Sequence, residues 1–315
     1  MTNSMTNSMT NSMTNSMTNS TTSTTVPSIS SAAMLVELSI GTWTGRKLDK
    51  RASQAVTTDN HADKGVANVH KKLLGDCAEL DAVQKFTANA RNTHYACTMP
   101  WSDTGLRLLP TTQYFKYHQE MTTLQNEYKR LVDTFLDAYS WEIQNSQLKL
   151  GDLFNADEYP TADSLTSKFR FKMNYMPLPD VGDWRVSISN ETEDALRSQY
   201  EGYYATQLQA AMSDVWKRAH DALTKMSERL DYADDMNKKV FRDSLVTNVQ
   251  DMIELLDVCN VTNDPVMAQA QCDLDDAMRG ITPDALREDL YLRAETRRKV
   301  NEVRKTIDNL PSLGF

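Results

Sequence analysis

YFKYHQEMTTLQNEYKRLVDTFLDA, residues 114–138, decides the fold class. Tyr114, Tyr117, Met121, Leu124, Tyr128, Leu131, Phe135 and Ala138 are spaced alternately by three and four, the heptad pattern that gathers side chains on one helix face. A helix from about Thr112 to Ser146 would extend roughly 50 Å at 1.5 Å per residue, longer than a compact domain requires. An elongated bundle is therefore expected, with Leu131, mid-seam, buried against a second long helix.

That second helix is expected to open at Asn190, where Glu193 completes a capping-box pattern. Leu196, Tyr200, Tyr203, Leu208, Met212, Val215, Ala219, Leu223, Met226 and Leu230 then hold one face. The two long helices are predicted to pack antiparallel. Three shorter helices follow: Lys239 to Cys259, one opened by Asp264-Pro265, and one from Thr282-Pro283 to Ile307. Proline at the first helical position after an Asp or Thr cap supports both of the later starts.

Upstream, Val69, Leu73, Cys77, Leu80 and Val83 recur at helical spacing, predicting a helix from Val66 to Ala96 that stops before Pro100. Period-two alternation predicts strands over Leu35 to Thr44 and Lys168 to Met176, with a return strand over Trp184 to Ile188. The class is α+β, predominantly α: an elongated antiparallel helical bundle with a small antiparallel β-sheet. Residues 1–33, five copies of Met-Thr-Asn-Ser followed by a Ser/Thr-rich stretch, hold too little apolar surface to fold and are expected to be a disordered tail. Residues 34–260 make the bundle and sheet, and residues 261–315 add helices packed on it or extending it.

The 315 residues carry a formal charge of −9, which argues against a surface that coats nucleic acid throughout but leaves local basic patches open. No apolar run approaches the ~20 residues of a membrane span, and no secretory signal opens the chain, so a cytoplasmic protein without membrane contact is expected. Four cysteines, Cys77, Cys97, Cys259 and Cys272, form no C-x-x-C pair and read as reduced, mostly buried thiols.

No stretch completes a catalytic motif. Gly41-Thr-Trp-Thr-Gly45-Arg46-Lys47 follows a strand as a phosphate loop does, but the glycines are too close and Leu48 replaces the magnesium-binding Ser or Thr. A strand-to-helix turn with a basic rim explains it better. Asp103-Thr104-Gly105 matches the aspartic-protease triplet but follows Pro100-Trp-Ser rather than an apolar strand, and reads as a surface turn held by Asp103. His94 and Cys97 lie one helical turn apart, yet a zinc site assembled with Cys259 and Cys272 would draw on scattered residues. Asp231, Asp234 and Asp235 run straight into Lys238 and Lys239, as a polar turn does. On the last helix, Arg287, Arg293, Arg297, Arg298, Lys299, Arg304 and Lys305 alternate with acids, the pattern of a salt-bridged solvent face. No cofactor, metal or catalytic residue is expected.

Leu35-Val-Glu-Leu-Ser-Ile-Gly-Thr-Trp-Thr-Gly-Arg-Lys-Leu-Asp-Lys50, Pro100-Trp-Ser-Asp-Thr-Gly-Leu-Arg-Leu-Leu-Pro110, Leu150-Gly-Asp-Leu-Phe154 with Tyr159-Pro160, and Met176 to Trp184 resemble a family of unknown function common in tailed bacteriophages. The resemblance covers about residues 34–230. Family members often stand beside genes for a MoxR-type AAA+ ATPase and a von Willebrand A-like protein. The resemblance thus implies a non-enzymatic phage accessory or adaptor protein in the host cytoplasm, acting through protein–protein interaction, with a AAA+ ATPase as a candidate partner. The candidate interaction residues are Trp43, Arg46, Lys47, Trp101 and Asp103, where large rings stand beside Gly, Asp and basic residues. The alternative is a nucleic-acid-associated factor using Arg46, Lys47, Lys50, Arg51 and the basic C-terminal helix. Self-association along the long helices is a further route to a partner.

Overall fold

The computed structural model describes residues 29–178, 190–231 and 241–310, with the side chains of 190–197 left aside. The first 28 residues of the expected tail (1–33), the return strand Trp184 to Ile188, the Asn190 cap and the acidic and basic residues Asp234 to Lys239 lie outside this description. Helix α1 (Ile29–Ala32) leads into β1 (Ala33–Gly41), then β2 (Arg46–Leu48), α2 (Lys50–Asp59), β3 (His70–Lys72) and α3 (Ala78–Cys97). Next come β4 (Met99–Pro100), β5 (Leu106–Pro110), α4 (Tyr114–Leu150), α5 (Ala162–Thr166), β6 (Arg170–Pro177) and α6 (Asn190–Leu230). The chain closes with α7 (Ser244–Val258), α8 (Pro265–Met278), α9 (Pro283–Glu288) and α10 (Leu290–Asp308). The class is α+β, predominantly α, with one small antiparallel sheet ordered β4-β5-β1-β6 and a separate two-stranded ribbon, β2-β3. Folded structure is already in place before Met34, the expected start: Ile29–Ala32 are helical, and Ala33 is buried and paired with Pro110.

The alternation along β1 explains the whole arrangement. Val36 and Ile40, with Met34 and Leu38 beside them, point into a core built with α3 and α4. Ala33 and Leu35 point the other way, into a core built with α6, α7, α8 and α10. β5 repeats the division, Leu109 joining the first core and Leu108 the second. Both faces of one strand are thus apolar, and a slip of one residue would exchange the two sets of side chains.

This corrects the helix pairing. The two long helices are present, but α4 packs along α3, whereas α6 packs along α7 and α10, so the sheet stands between them. The buried side of α4 is Tyr117, Met121, Tyr128, Val132, Phe135 and Tyr139. Leu131 is only half-buried, because a helix of 3.6 residues per turn drifts off a strict heptad and Val132 takes the inward position. Residues 261–310 share the core of α6 and α7, so the C-terminal helices are part of that half of the molecule.

The helix expected from Val66 begins only at Ala78. Residues 70–72 form a strand, and Gly75 at φ +59° turns the chain before α3 starts. Leu73 and Cys77 are buried as expected, but from a loop. The unpredicted α2 has Asp49 as its N-cap, the carboxylate accepting from Ala52 N at 2.9 Å. Only Thr57 on it is buried, so no apolar periodicity marked it.

Candidate functional site: the basic ribbon

The loop after β1 turns at Trp43 and Gly45. Trp43 is 8% exposed and lies among aromatic rings, 5.9 Å edge-on from Tyr139 and 6.2 Å from Phe135. Gly45 takes φ +62°, and a Cβ there would sit 2.8 Å from a Leu80 methyl group, so glycine lets the chain pass close over α3. Trp101 is 6% exposed and meets Tyr204 edge-on at 5.3 Å in the opposite core. Neither tryptophan offers a ring to a partner. Each holds its loop to a core, because a ring this large contributes most when fully desolvated. Asp103 is exposed in a turn closed by Gly105 N donating to Ser102 O at 3.3 Å, with Gly105 at φ +97° and Ser102 and Thr104 hydroxyls 2.8 Å apart. The turn is held by these groups rather than by the Asp103 carboxylate. The fold does not unite the two loops: their anchors belong to different cores.

Arg46 and Lys47 have a different setting. They form β2, and β3 lies antiparallel to it with Arg46 opposite Lys72, Lys47 opposite Lys71 and Leu48 opposite His70. The ribbon is closed by Leu73 N donating to Gly45 O at 2.7 Å and Asp49 N donating to Val69 O at 2.9 Å. Arg46, Lys47, Lys72 and His70 are exposed. Lys47, with Lys50 and Arg51 at the start of α2, lines a cleft of about 850 Å³ between the ribbon and residues 152–158.

Lys71 fixes the inner side of the cleft. Its side chain is 8% exposed, and its ammonium lies 2.8 Å from Glu158, 3.2 Å from Asp49 and 2.7 Å from Leu153 O. These three acceptors match the three donors of an ammonium. The Glu158 bond, with Asp49 adding to it, holds Lys71 above the usual lysine range. Its hydrogen bond from the Ala52 N–H, reinforced by Lys71, holds Asp49 below the usual carboxylate range. Tyr159 donates to Leu73 O at 2.5 Å and ties the segment carrying Glu158 to the end of β3.

Lys71, Lys72 and Glu158 were not among the sequence candidates. Gly75, at positive φ inside the expected span, is the signal that breaks the apparent helix there. On α10, Arg297 pairs with Asp231 at 3.0 Å, Arg298 with Glu295 and Glu302, and Arg293 is buried with an arm donating to Leu286 O. That helix carries the expected salt-bridged face. His94 and Cys97 do not meet at a shared site: His94 is buried with Nδ1 2.7 Å from the Tyr117 hydroxyl. Burial pushes the Cys77 thiol up to about 11 and Cys259 up to about 12, far from a reactive thiolate. Among the described residues no helix is long and apolar enough to cross a membrane. No family model, curated protein or solved structure matches the chain.

Proposed function

We propose that this chain is a non-catalytic interaction protein that docks an acidic protein surface on its β2–β3 ribbon. The observation that carries the reading is the facing of Arg46 with Lys72 and of Lys47 with Lys71 on a two-stranded element separate from the main sheet. Like charges directly opposite cost stability; Lys47 and Lys71 are reconciled by Glu158, 4.0 and 2.8 Å from their ammonium groups, whereas no shared acid among the described residues joins Arg46 and Lys72. Lys71 has acids of its own. Arg46, by contrast, makes no ion pair among the described residues, and Lys72 reaches only the exposed Asp76. Residues 46–72 are basic within a chain of net charge −9, a local field that steers an acidic partner.

The resemblance to the tailed-phage family adds an accessory or adaptor role and a MoxR-type AAA+ ATPase as the partner to try first. Nucleic acid fits less well. The ribbon carries no exposed Phe, Tyr or Trp for a base to stack on, only the imidazole of His70, and the net charge of −9 opposes a polyanion. The test is to titrate the full chain with the purified ATPase of the same genome and, in parallel, with single- and double-stranded DNA across a salt series. A complex with the ATPase at physiological salt, without DNA binding, supports the reading. DNA binding that falls steeply with salt, with no ATPase complex, replaces it with the nucleic-acid alternative.

A further inference from the structure

Cys77, Glu79 and Glu142 converge where the start of α3 meets the last third of α4. One ligand atom from each, the thiol sulfur and two carboxylate oxygens, lies within 4.8 Å of the others. Cys77 occupies the N-cap position of α3 but makes no capping hydrogen bond, although Ser, Thr, Asp or Asn would serve the helix better there. Glu142 is 4% exposed, and its Oε2 has neither a hydrogen-bond nor an ion-pair partner among the described residues. A carboxylate oxygen without a partner in such a place is costly, and folding supplies no return for it.

We propose that Cys77, Glu79 and Glu142 form a zinc site. The donor set selects the metal: a thiolate excludes magnesium and calcium, while two carboxylates suit zinc better than the softer copper(I). The dimensions agree as well. Bonds of about 2.3 Å to sulfur and about 2.1 Å to oxygen at a tetrahedral angle place the two ligands roughly 3.6 Å apart. The Cys77 sulfur and the Glu79 Oε2 are 3.6 Å apart. The remaining separations, all within 4.8 Å, need contract by at most about 1.4 Å, within reach of side-chain adjustment, to reach the same geometry. Ligation releases the thiol proton to solvent and gives the Glu142 oxygen its partner. Three protein ligands leave the fourth position to water, on the side where Glu79 is half-exposed. The site joins the two helices of one core, so the metal is a clip between α3 and α4, independent of the ribbon.

The test uses the full chain, stripped with a chelator and dialysed. Zinc affinity is measured by competition with a chromogenic chelator, and cobalt(II) is added separately to read the sulfur-to-cobalt charge-transfer band. The variants are Cys77→Ser and Glu142→Gln, with the exposed Cys272→Ser as control. The parent and Cys272→Ser should bind one zinc equivalent and show the cobalt band. Cys77→Ser should lose the band, and both site variants should bind zinc at least tenfold more weakly. Glu142→Gln removes a buried carboxylate and should fold at least as stably as the metal-free parent, so its weak binding cannot be ascribed to unfolding. No cobalt band in the parent, or equal zinc affinity in the parent and Glu142→Gln, overturns the assignment.

Discussion

Lys71, from the inner strand of the basic ribbon, sets its ammonium 2.8 Å from the carboxylate of Glu158, which lies in the segment after α4. The contact holds the free-standing ribbon to the body of the molecule, and both partners are mostly shielded from water. Glu158→Gln should therefore loosen β2 and β3 more than the cores. Hydrogen exchange is expected to quicken across residues 46–48 and 70–72, with a local loss of about 1.5–3 kcal/mol, the range of a hydrogen bond to a charged group. Equal exchange in parent and variant would show that the ribbon is held by its backbone alone.

His94 gives the molecule a specific acid sensitivity. Burial, with Arg107 nearby, lowers its pKa from 6.5 to about 4, and Nδ1 of the ring shares a hydrogen bond of 2.7 Å with the Tyr117 hydroxyl. Below pH 6.5 the unfolded chain takes up a proton that the folded one refuses. Stability should fall as pH drops from about 6.5 to about 4 and this contribution should level off below, for a loss on the order of 3 kcal/mol. His94→Gln should flatten that part of the curve. Denaturant titrations at several pH values compare the two proteins, and parallel curves would contradict the assignment.

The register of α4 makes a graded prediction. Phe135 is fully buried and packs near Trp43 and Phe169, so Phe135→Ala should cost ~3–5 kcal/mol. Leu131→Ala, half-buried, should cost under about 2 kcal/mol. Unfolding midpoints at constant slope measure both, and a reversed order would restore the strict heptad seam.

These cases show what could be read from residues alone. The long helices were legible because apolar residues that keep a three-and-four spacing over many turns line up on one side only if the chain is helical throughout. Their pairing was not, since a face tells that a helix is covered and not by which element. β1 was legible as a strand, but its Glu37 and Ser39 suggested a half-polar face, and the apolar Ala33 and Leu35 on that side were missed as a second contact surface. At the ribbon, Arg46 and Lys47 stood out beside Gly45. Their partners Lys71 and Lys72 were absorbed into a false helix because Val69, Leu73 and Cys77 happen to continue the spacing of α3. Nothing in the sequence marks Glu142 as buried, since burial is decided by what packs against it.

The most direct measurement of the central claim is the affinity for the ATPase partner of the double charge reversal Arg46→Glu with Lys72→Glu. Reversal of Lys305 and Arg298 on α10 serves as the control, a basic face on which Arg298 is already engaged with Glu295 and Glu302. The ribbon reversal should weaken binding at least tenfold, about 1.4 kcal/mol, with unchanged circular dichroism, while the α10 reversal leaves affinity within about twofold. Equal affinity of the ribbon variant and the parent, both folded, would contradict the account and move the interface to the helices.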